Sequence, residues 1–382
     1  MLIVNLSRLG DFSAGDGISL KTIFIRGESN PNERRAPITP EDAGRLVERG
    51  CRVKVSSSRS RIFSDEDYAN AGCIVEPGES WRSPAGDTLT VGIKIPALNV
   101  QPLFGEHLFF GHQYTRNRVL SEKPTATAML NALRAGGGIH YDMEFLADES
   151  GAKITAFSTV AGYVGAAIGI ARACLRVRDA GNGDDAPPYD IPTCTAALRE
   201  RAAVEIAQTR PLDIGLIGPS GACGAGAREL LSALGLTWTP IRHANLNADI
   251  GDEDLFAFDL LINCMAVDET TPKILSPSRC PRDARLSVIA DIGCETNDNN
   301  PVLLRDGLST LDAPFLARDR GDGRICDILS VDHLPALTPR ESSEQVSKQL
   351  FPLLDNYISG SELDSPWQNA RNIFHSSINK IK

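Results

Sequence analysis

Residues 213–234 read DIGLIGPSGACGAGARELLSAL, and this stretch decides the fold. It begins with the apolar pattern of a buried strand, and the glycines Gly218, Gly221 and Gly224 follow as a turn. The chain then continues as a helix that places its leucines on one face. A strand, a glycine turn and a helix in this order predict an α/β unit built on a parallel sheet.

The same turn is a candidate dinucleotide site. Glycines let backbone N–H groups approach a pyrophosphate, and the helix N-terminus adds a partial positive charge. A glycine pattern alone is weak evidence, and a merely structural tight turn is the alternative. The strand-to-helix context favours dinucleotide binding. The predicted cofactor-binding residues of the turn are Gly218, Gly221, Ala222, Cys223 and Gly224.

The end of the next strand bears on the type of cofactor. An NAD site usually has an acid there, about 20 residues beyond the first glycine, which binds the ribose 2′-hydroxyl. The predicted strand 237–241 is followed by Arg242 instead, which suits the 2′-phosphate of NADP. Alternatively, Arg242 is a surface residue and Asn245, Asn247 or Asp249 reaches the ribose. The predicted cofactor is therefore NAD or NADP.

Two further strand ends complete the predicted cofactor site. Cys264 closes a third strand, whose backbone would line the nicotinamide, and Asp291 ends a fourth. In open α/β sheets the ligand lies beyond the carboxyl ends of the strands. We therefore expect both residues near the cofactor.

Length, charge and cysteine spacing exclude several classes of protein. The 382 residues suit two domains of about 150–200 residues each. A formal net charge of −10 argues against a nucleic-acid partner. The nine cysteines show no CxxC spacing, so we expect no metal site and no disulfide framework, as is typical of a reducing, cytoplasmic compartment. No apolar run reaches 18 residues, so we expect no membrane span.

Strand and helix patterns alternate along both halves of the chain, which predicts covered parallel sheets. Thr39 and Pro40 resemble a helix start. The small apolar run 161–173 fits a closely packed helix, and residues 180–192 read as an exposed loop. The predicted division is a flexible extension at 1–20, a substrate-side domain at 21–145 plus 336–382, and a dinucleotide-binding domain at 146–335.

The predicted chemistry lies at the ends of two strands, 88–94 and 108–112, which place Lys94 and His112 on one rim if the strands are neighbours. A lysine and a histidine suit proton transfer to an amine and a carbinolamine. The alternatives are a solvated lysine and a histidine with a structural hydrogen bond. Arg35 is suited to a substrate carboxylate, whereas Arg34 reads as solvated. His333 is predicted to be a structural cap.

The order of motifs resembles the lysine-forming saccharopine dehydrogenases, relatives of alanine dehydrogenase and the transhydrogenase NAD-binding subunit. The similar runs are TIFIRGE, ERRAPITP, FSDEDYANAGC, VGIKIP, FFGHQY, IHYDMEFL, ITAFSTVAGYVGAAIG, GPSGACGAG, LINCMA and ILSVDHLPALTPRESS. The resemblance implies an α/β fold of two Rossmann-like, doubly wound domains with the active site in the cleft between them. It also implies the NAD-dependent oxidation of a secondary amine to an amino acid and a 2-oxo acid, lysine and 2-oxoglutarate in that family.

The resemblance also assigns roles to residues. Lys94 takes the place of the family's acid–base lysine and His112 that of its histidine. The substrate-binding residues that it implies are Arg35, Lys153, Glu144 and Asp332, and Cys223 and Cys264 match a cysteine pair that is close in space in the family. A disulfide between them is the less expected state.

The chain also departs from the family pattern. Ile95 replaces an acid after the lysine, Thr115 replaces a lysine after the histidine, and the ribose acid is missing. The predicted partners are thus small molecules, an amino acid and a 2-oxo acid, and a pair other than lysine and 2-oxoglutarate is left open. An alanine-type dehydrogenase that uses ammonia and a non-catalytic dinucleotide-binding protein are further alternatives. The expected assembly is a monomer or small homo-oligomer.

Overall fold

A computed structural model describes residues 21–82, 87–98, 102–115, 119–120, 124–179, 191–246, 249–267, 270–294, 300–359 and 364–381. The expectations for the extension at 1–20, for residues 180–190 of the loop and for Asn247 lie outside these residues.

The described chain forms two six-stranded sheets. The strands of the first sheet are β1 (Thr22–Ile25), β2 (Arg52–Ser56), β3 (Ile74–Glu76), β4 (Thr88–Val91), β5 (Glu106–Phe109) and β6 (Ile139–Asp142). The strands of the second sheet are β7 (Ile214–Ile217), β8 (Thr239–Ile241), β9 (Leu260–Asn263), β10 (Val288–Asp291), β11 (Phe315–Asp319) and β12 (Ile325–Leu329).

Helices connect and cover these strands. They are α1 (Pro40–Glu48), α2 (Asp65–Asn70), α3 (Pro124–Gly136), α4 (Ser158–Arg178), α5 (Thr195–Ile206), α6 (Ala222–Ala233), α7 (Asp252–Phe256), α8 (Pro339–Ile358) and α9 (Ser365–Ile378). The predicted start of α1 is confirmed, because the Thr39 side chain accepts a hydrogen bond from the Asp42 N–H.

Both sheets have a doubly wound order. The first runs β3-β2-β1-β4-β5-β6, and all its pairs are parallel. The second runs β11-β12-β10-β9-β7-β8, with only β11 antiparallel to its neighbour. Strand order reverses beside β1 and β4 in one sheet and beside β7 and β9 in the other, where ligands bind in such folds. The predicted α/β class with two doubly wound sheets is confirmed.

Strand β4 is shorter than the predicted 88–94, and the cause is a buried carboxylate. Glu28 accepts the backbone N–H groups of Ile93 and Lys94 at 2.7 and 3.1 Å. The buried guanidinium of Arg26 donates to the Lys94 carbonyl. Side chains from the end of β1 therefore hold the backbone of residues 93–94 outside the regular ladder.

Helix α4 is longer than predicted and lies against the second sheet and α6. It is long and apolar enough to cross a membrane by composition alone, but 72% of its apolar window is buried inside the protein. A β-carbon on Gly162 would lie 1.9 Å from the Cys223 carbonyl oxygen, and one on Gly226 would lie 1.8 Å from that of Thr159. Glycines therefore allow the close contact between α4 and α6.

The C-terminal helices return to the first sheet. Apolar residues of α8 and α9 belong to the same buried core as β1, β2, β4 and α1. The Trp367 indole is fully buried and donates to the Leu353 carbonyl at 3.3 Å. The tail thus closes one face of the sheet that carries Lys94 and His112.

Candidate active site

A cleft lies where the carboxyl ends of the two sheets face each other. Strands β4 and β5 are parallel neighbours, so the segments that follow them, with Lys94 and His112, adjoin. The cleft has a volume of about 500 Å³. Residues from the first sheet's side that line it include Arg35, Lys94, His112, Glu144 and Lys153, and those from the second sheet's side include Gly293, Cys294, Asp332 and His333. All six residues predicted to be catalytic or substrate-binding thus line one cavity.

The Lys94 ammonium occupies an environment that favours its neutral form. Burial lowers its pKa from the ordinary value of 10.5, and the Arg35 charge adds to this effect. The carboxylates of Glu33, Asp332 and Glu28 act in the opposite direction without cancelling the shift. A lysine with a lowered pKa can take up a proton closer to neutral pH than a solvated one.

Arg35 is buried and already holds one carboxylate. Its Nε and Nη2 groups donate to the two Glu33 oxygens at 2.7 and 2.6 Å, and its guanidinium lies 4.3 Å from the Phe157 ring centroid. Burial acts to raise the pKa of Glu33, but the paired Arg35 outweighs it and the net pKa is lowered. Only the remaining Arg35 donors are open to a substrate. Arg34 is exposed, as predicted.

His112 and Lys153 share one acid, Glu144. The His112 Nδ1 atom lies 3.7 Å from a Glu144 oxygen, and the Lys153 ammonium donates to the other. His112 is 48% exposed and Lys153 is 57% exposed, whereas Glu144 is mostly buried. The acid therefore links the predicted proton-transfer histidine to the predicted carboxylate-binding lysine.

A buried acid beneath these groups fixes their backbone. Asp142, at the end of β6, accepts N–H groups from Gly111 and Glu144 on Oδ1, both at 3.1 Å, and from His112 on Oδ2 at 3.3 Å. His112 has a φ of 51°, a left-handed conformation that costs energy for a residue with a side chain. Burial raises the Asp142 pKa to about 7 although these N–H groups act to lower it.

The opposite wall of the cleft follows β10 and β12. Asp332 and His333 are exposed and line it beside Gly293 and Cys294. His333 stands at the N-cap position of the short 3₁₀ turn Leu334–Leu337, but its side chain makes no capping hydrogen bond. Partial burial and the nearby Lys94 and Arg35 charges lower its pKa, although Asp332 opposes them. His333 therefore belongs to the lining of the cleft.

The glycine turn joins β7 to α6 in the form that a pyrophosphate site requires. Gly218 has a φ of 72°, and a β-carbon on Gly224 would lie 2.3 Å from the Gly218 carbonyl oxygen. At Gly221, in contrast, the nearest atom to such a carbon is 3.9 Å away. Gly221 is the N-cap residue of α6 and offers no side-chain cap, and both Gly221 and Ala222 are exposed. The space beside the helix N-terminus is therefore open to a ligand.

The other residues predicted to bind the cofactor differ in accessibility. Arg242 is exposed directly after β8. The thiols of Cys264 and Cys223 are hydrogen-bonded to each other and not oxidised. Asp291 is 1% exposed, and its carboxylate contacts Arg305 at 2.7 Å and Asn263 at 2.8 Å. A place near the cofactor stays a prediction for Asp291, whose side chain is held inside the protein by these two partners.

The residues of the site that were not predicted from the sequence include Glu33, Asp142 and Cys294. Glu33 and Asp142 act on the predicted residues from beneath, and Cys294 lines the cleft. Glu33 stands two residues before Arg35 and Asp142 two before Glu144, so spacing gave a signal for both. Cys294 gave none. In the part of the chain that the structure describes, no cluster of three or more His, Cys, Asp or Glu side chains could hold a metal ion.

A larger groove of the described surface lies elsewhere. It has a volume of about 1010 Å³ and runs between α1, α2 and α8. Its side chains include the Arg45–Asp42 ion pair on α1, and none of the residues predicted to be functional lines it. The chemistry of the side chains therefore favours the smaller cleft as the active site.

Comparisons with known proteins agree with this architecture. Residues 24–164 match the family model described as alanine dehydrogenase/PNT, N-terminal domain. The chain is similar to an L-alanine dehydrogenase structure with a TM-score of 0.65 and 17% identity over 93% of each chain. It is also similar to the structure of a transhydrogenase from Sinorhizobium meliloti, with a TM-score of 0.51 and 15% identity over 91% of this chain and 97% of the other. These structures support the fold.

Sequence relatives are closer. A saccharopine dehydrogenase [NAD(+), L-lysine-forming] of Yarrowia lipolytica is 30% identical over 94% of this chain and 98% of its own length. Proteins of the same name from Candida glabrata and Schizosaccharomyces pombe are each 28% identical, over 93% and 94% of this chain and 96% and 99% of theirs. The similarity thus extends over both sheets and the cleft.

Proposed function

Because the chain belongs to the family of NAD(+)-dependent, L-lysine-forming saccharopine dehydrogenases, we propose that it interconverts an N-substituted amino acid with an amino acid and a 2-oxo acid. The observation that carries this proposal is the cleft in which Lys94 and His112 meet the second sheet. The chain is an oxidoreductase of the amino-acid dehydrogenase type, and the substrate pair is the proposed part.

The residues of the second sheet fit a nicotinamide dinucleotide. The open space at Gly221 and the uncapped start of α6 suit a pyrophosphate, and Gly218 and Gly224 have no room for side chains. When bound, the cofactor supplies a hydride acceptor or donor. Gly293, which is exposed, and Cys294, which is buried, follow β10 and line the same cleft as Lys94.

Lys94 and His112 divide the proton transfers. Oxidation removes a hydride from the carbon and a proton from the nitrogen of the secondary amine, which leaves an imine. Neutral Lys94 takes the proton from nitrogen. Water then adds to the imine carbon: His112 accepts one proton from this water, and Lys94 returns its proton to the nitrogen, which gives the carbinolamine. As the carbinolamine C–N bond breaks, Lys94 accepts the hydroxyl proton and His112 gives its proton to the nitrogen, so the amine and the 2-oxo acid are released and one proton remains on Lys94.

Charged groups on both walls suit a substrate with several carboxylates and an amine. The free Arg35 donors and the Lys153 ammonium are the proposed carboxylate partners, because both lie on the wall of the first sheet. Asp332, on the facing wall, suits the positive charge of an amino acid. Glu144 is proposed to keep His112 and Lys153 oriented.

One departure from the family pattern bears on the substrate pair. Ile95 replaces an acid beside Lys94 and packs against an apolar cluster below β5. The local charge around Lys94 is therefore more positive than in a protein with an acid there. This supports a substrate pair for this chain that differs from lysine and 2-oxoglutarate.

The test follows nicotinamide absorbance. The purified protein is assayed with saccharopine, and in reverse with lysine and 2-oxoglutarate and then with panels of amino acids and 2-oxo acids. We expect turnover with at least one amine and oxo-acid pair and its loss by more than about 100-fold in Lys94→Met. The exposed Lys348→Met on α8 serves as the control and should retain full activity. Turnover with ammonia alone would favour an alanine-type enzyme, and no turnover with any pair would contradict the proposal.

A further inference from the structure

We propose that the cofactor of this chain carries a 2′-phosphate on its adenosine ribose, so that the chain uses NADP(H) whereas its named relatives use NAD(+). This inference rests on the proposed function, since it concerns the same dinucleotide site. The side chains that follow β8 carry it.

The end of β8 lies directly beside the glycine turn. Strands β7 and β8 are parallel, with Ile217 opposite Ile241, and the Gly218 N–H donates to the Ile241 carbonyl at 3.0 Å. In doubly wound dinucleotide-binding sheets, the adenosine ribose lies between the turn and the residue that ends this second strand. Arg242 occupies that position.

Arg242 is available for a ligand. Its side chain is exposed, and among the residues that the structure describes it has no ion pair and no hydrogen bond. The backbone is extended, with φ −90° and ψ 148°, and the residue makes no side-chain cap on the short 3₁₀ turn that follows. An arginine at this position presents a planar fork of donors that matches the geometry of a phosphate. His243, the next residue, is exposed as well.

The acid that would bind a 2′-hydroxyl is missing. The sequence from Ile241 to Ala248 contains no Asp or Glu. The next acid, Asp249, already accepts a hydrogen bond from the Asn245 amide at 2.9 Å, and the two residues hold the turn together. Asn245 and Asp249 were alternatives for the contact with the ribose. Because they bind each other, Arg242 is better placed to bind the ribose 2′ position.

The energetic difference between the two cofactors should be large. A 2′-hydroxyl would gain one weak hydrogen bond from Arg242, whereas a 2′-phosphate gains a bidentate, charge-assisted contact. Loss of such a contact typically costs about 10- to 100-fold in affinity. Because Arg242 is exposed, the preference should decrease as salt is added.

The test measures binding by calorimetry and requires no turnover. NADPH, NADH, 2′,5′-ADP and 5′-AMP are titrated into the wild-type protein, into Arg242→Ala and into Arg242→Lys. We expect NADPH to bind at least about 10-fold more tightly than NADH, and 2′,5′-ADP more tightly than 5′-AMP. Arg242→Ala should weaken NADPH by about 10- to 100-fold and change NADH by less than about 3-fold. Arg242→Lys should give intermediate values, because it keeps the charge and loses the fork.

Arg324→Ala is the matched control. Arg324 is also an exposed arginine of the second sheet, but it precedes β12 and so lies at the amino edge, opposite the glycine turn. This variant should bind both cofactors like the wild type. NADH binding as tight as or tighter than NADPH, or an equal effect of Arg242→Ala on both, would overturn the inference and leave the proposed function intact. Absence of binding by either dinucleotide would instead contradict the proposed function.

Discussion

Replacement of Asp142 by asparagine tests how the protein holds His112 in its left-handed conformation. Asp142 is fully buried, and its Oδ1 atom accepts two backbone N–H groups while Oδ2 accepts only that of His112. An asparagine side chain has a single oxygen, which keeps the two bonds to Gly111 and Glu144 when it occupies the Oδ1 position. The amide nitrogen then faces the His112 N–H and cannot accept from it. We therefore expect the left-handed conformation of His112 to loosen first.

The pH dependence gives the magnitude. Burial raises the Asp142 pKa from 3.8 to about 7, so the folded protein keeps a proton that the unfolded chain has lost at intermediate pH. This contribution to stability is complete below the unfolded pKa and is lost as pH rises through the folded one. The shift corresponds to an upper limit of about 4 kcal/mol. The amide that replaces the carboxyl group does not titrate, so the free energy of unfolding of Asp142→Asn should fall less than that of the wild type between about pH 4 and 7.

The assay combines urea unfolding at several pH values with steady-state kinetics. The variant should be less stable than the wild type at low pH, by about 1–2 kcal/mol for the lost bond, and should approach or exceed it near pH 8. Its kcat should fall by about 10-fold or more, because the variant disturbs His112. The change in KM should be smaller, because Arg35 and Lys153, which are proposed to bind the substrate carboxylates, are not disturbed. Parallel stability curves, or an unchanged kcat, would refute the reasoning. Glu149→Gln, which changes an exposed acid in a nearby turn, is the control.

Three further predictions follow from the glycines, from Lys94 and from a buried ion pair. Gly226→Ala should destabilise the fold by about 2 kcal/mol or more in urea unfolding, because its β-carbon would lie 1.8 Å from a carbonyl oxygen. Gly221→Ala should keep the stability of the wild type, because the nearest atom to its β-carbon is 3.9 Å away, but it should lose dinucleotide affinity in calorimetry. Amine oxidation should increase with pH as Lys94 loses its proton, with a midpoint below 10.5 in the pH–rate profile; a midpoint at or above that value would argue against a buried base. Asp327→Asn should destabilise the protein by about 3 kcal/mol, because it removes the buried negative charge that the cations of Arg172 and Arg176 both contact, and an unchanged thermal midpoint would contradict this.

Much of the architecture was predictable because it depends on local pattern. The glycine turn, the cap at Thr39 and the apolar strands each follow from a few neighbouring residues, and the structure has them at the expected places. The pairing of β4 with β5, which brings Lys94 and His112 together, was stated only as a condition. Strand order depends on packing between distant segments, and the sequence pattern does not contain it.

The features of β4, Asp291 and His333 that the sequence pattern does not reveal have a common physical cause. Strand β4 ends early because Glu28, far away in sequence, binds the N–H groups that follow it. Asp291 ends a strand, but its sequence neighbours do not reveal the distant Arg305 that holds its side chain inside the protein. His333 stands at a cap position, and its neighbours alone do not reveal that it also lines the cleft. Side-chain pairs between remote segments, or the packing of one sheet against the other, decided each case.

The proposed reaction requires a nicotinamide ring that lies between the two sheets and faces Lys94. A crystal structure of the protein with its reduced cofactor and a 2-oxo acid would test this directly. We expect the pyrophosphate at Gly221, the nicotinamide beside Gly293, and the 2-oxo acid within hydrogen-bond reach of Lys94 and the free donors of Arg35. A dinucleotide bound in the groove between α1 and α8, or a nicotinamide directed away from Lys94 and His112, would contradict the account.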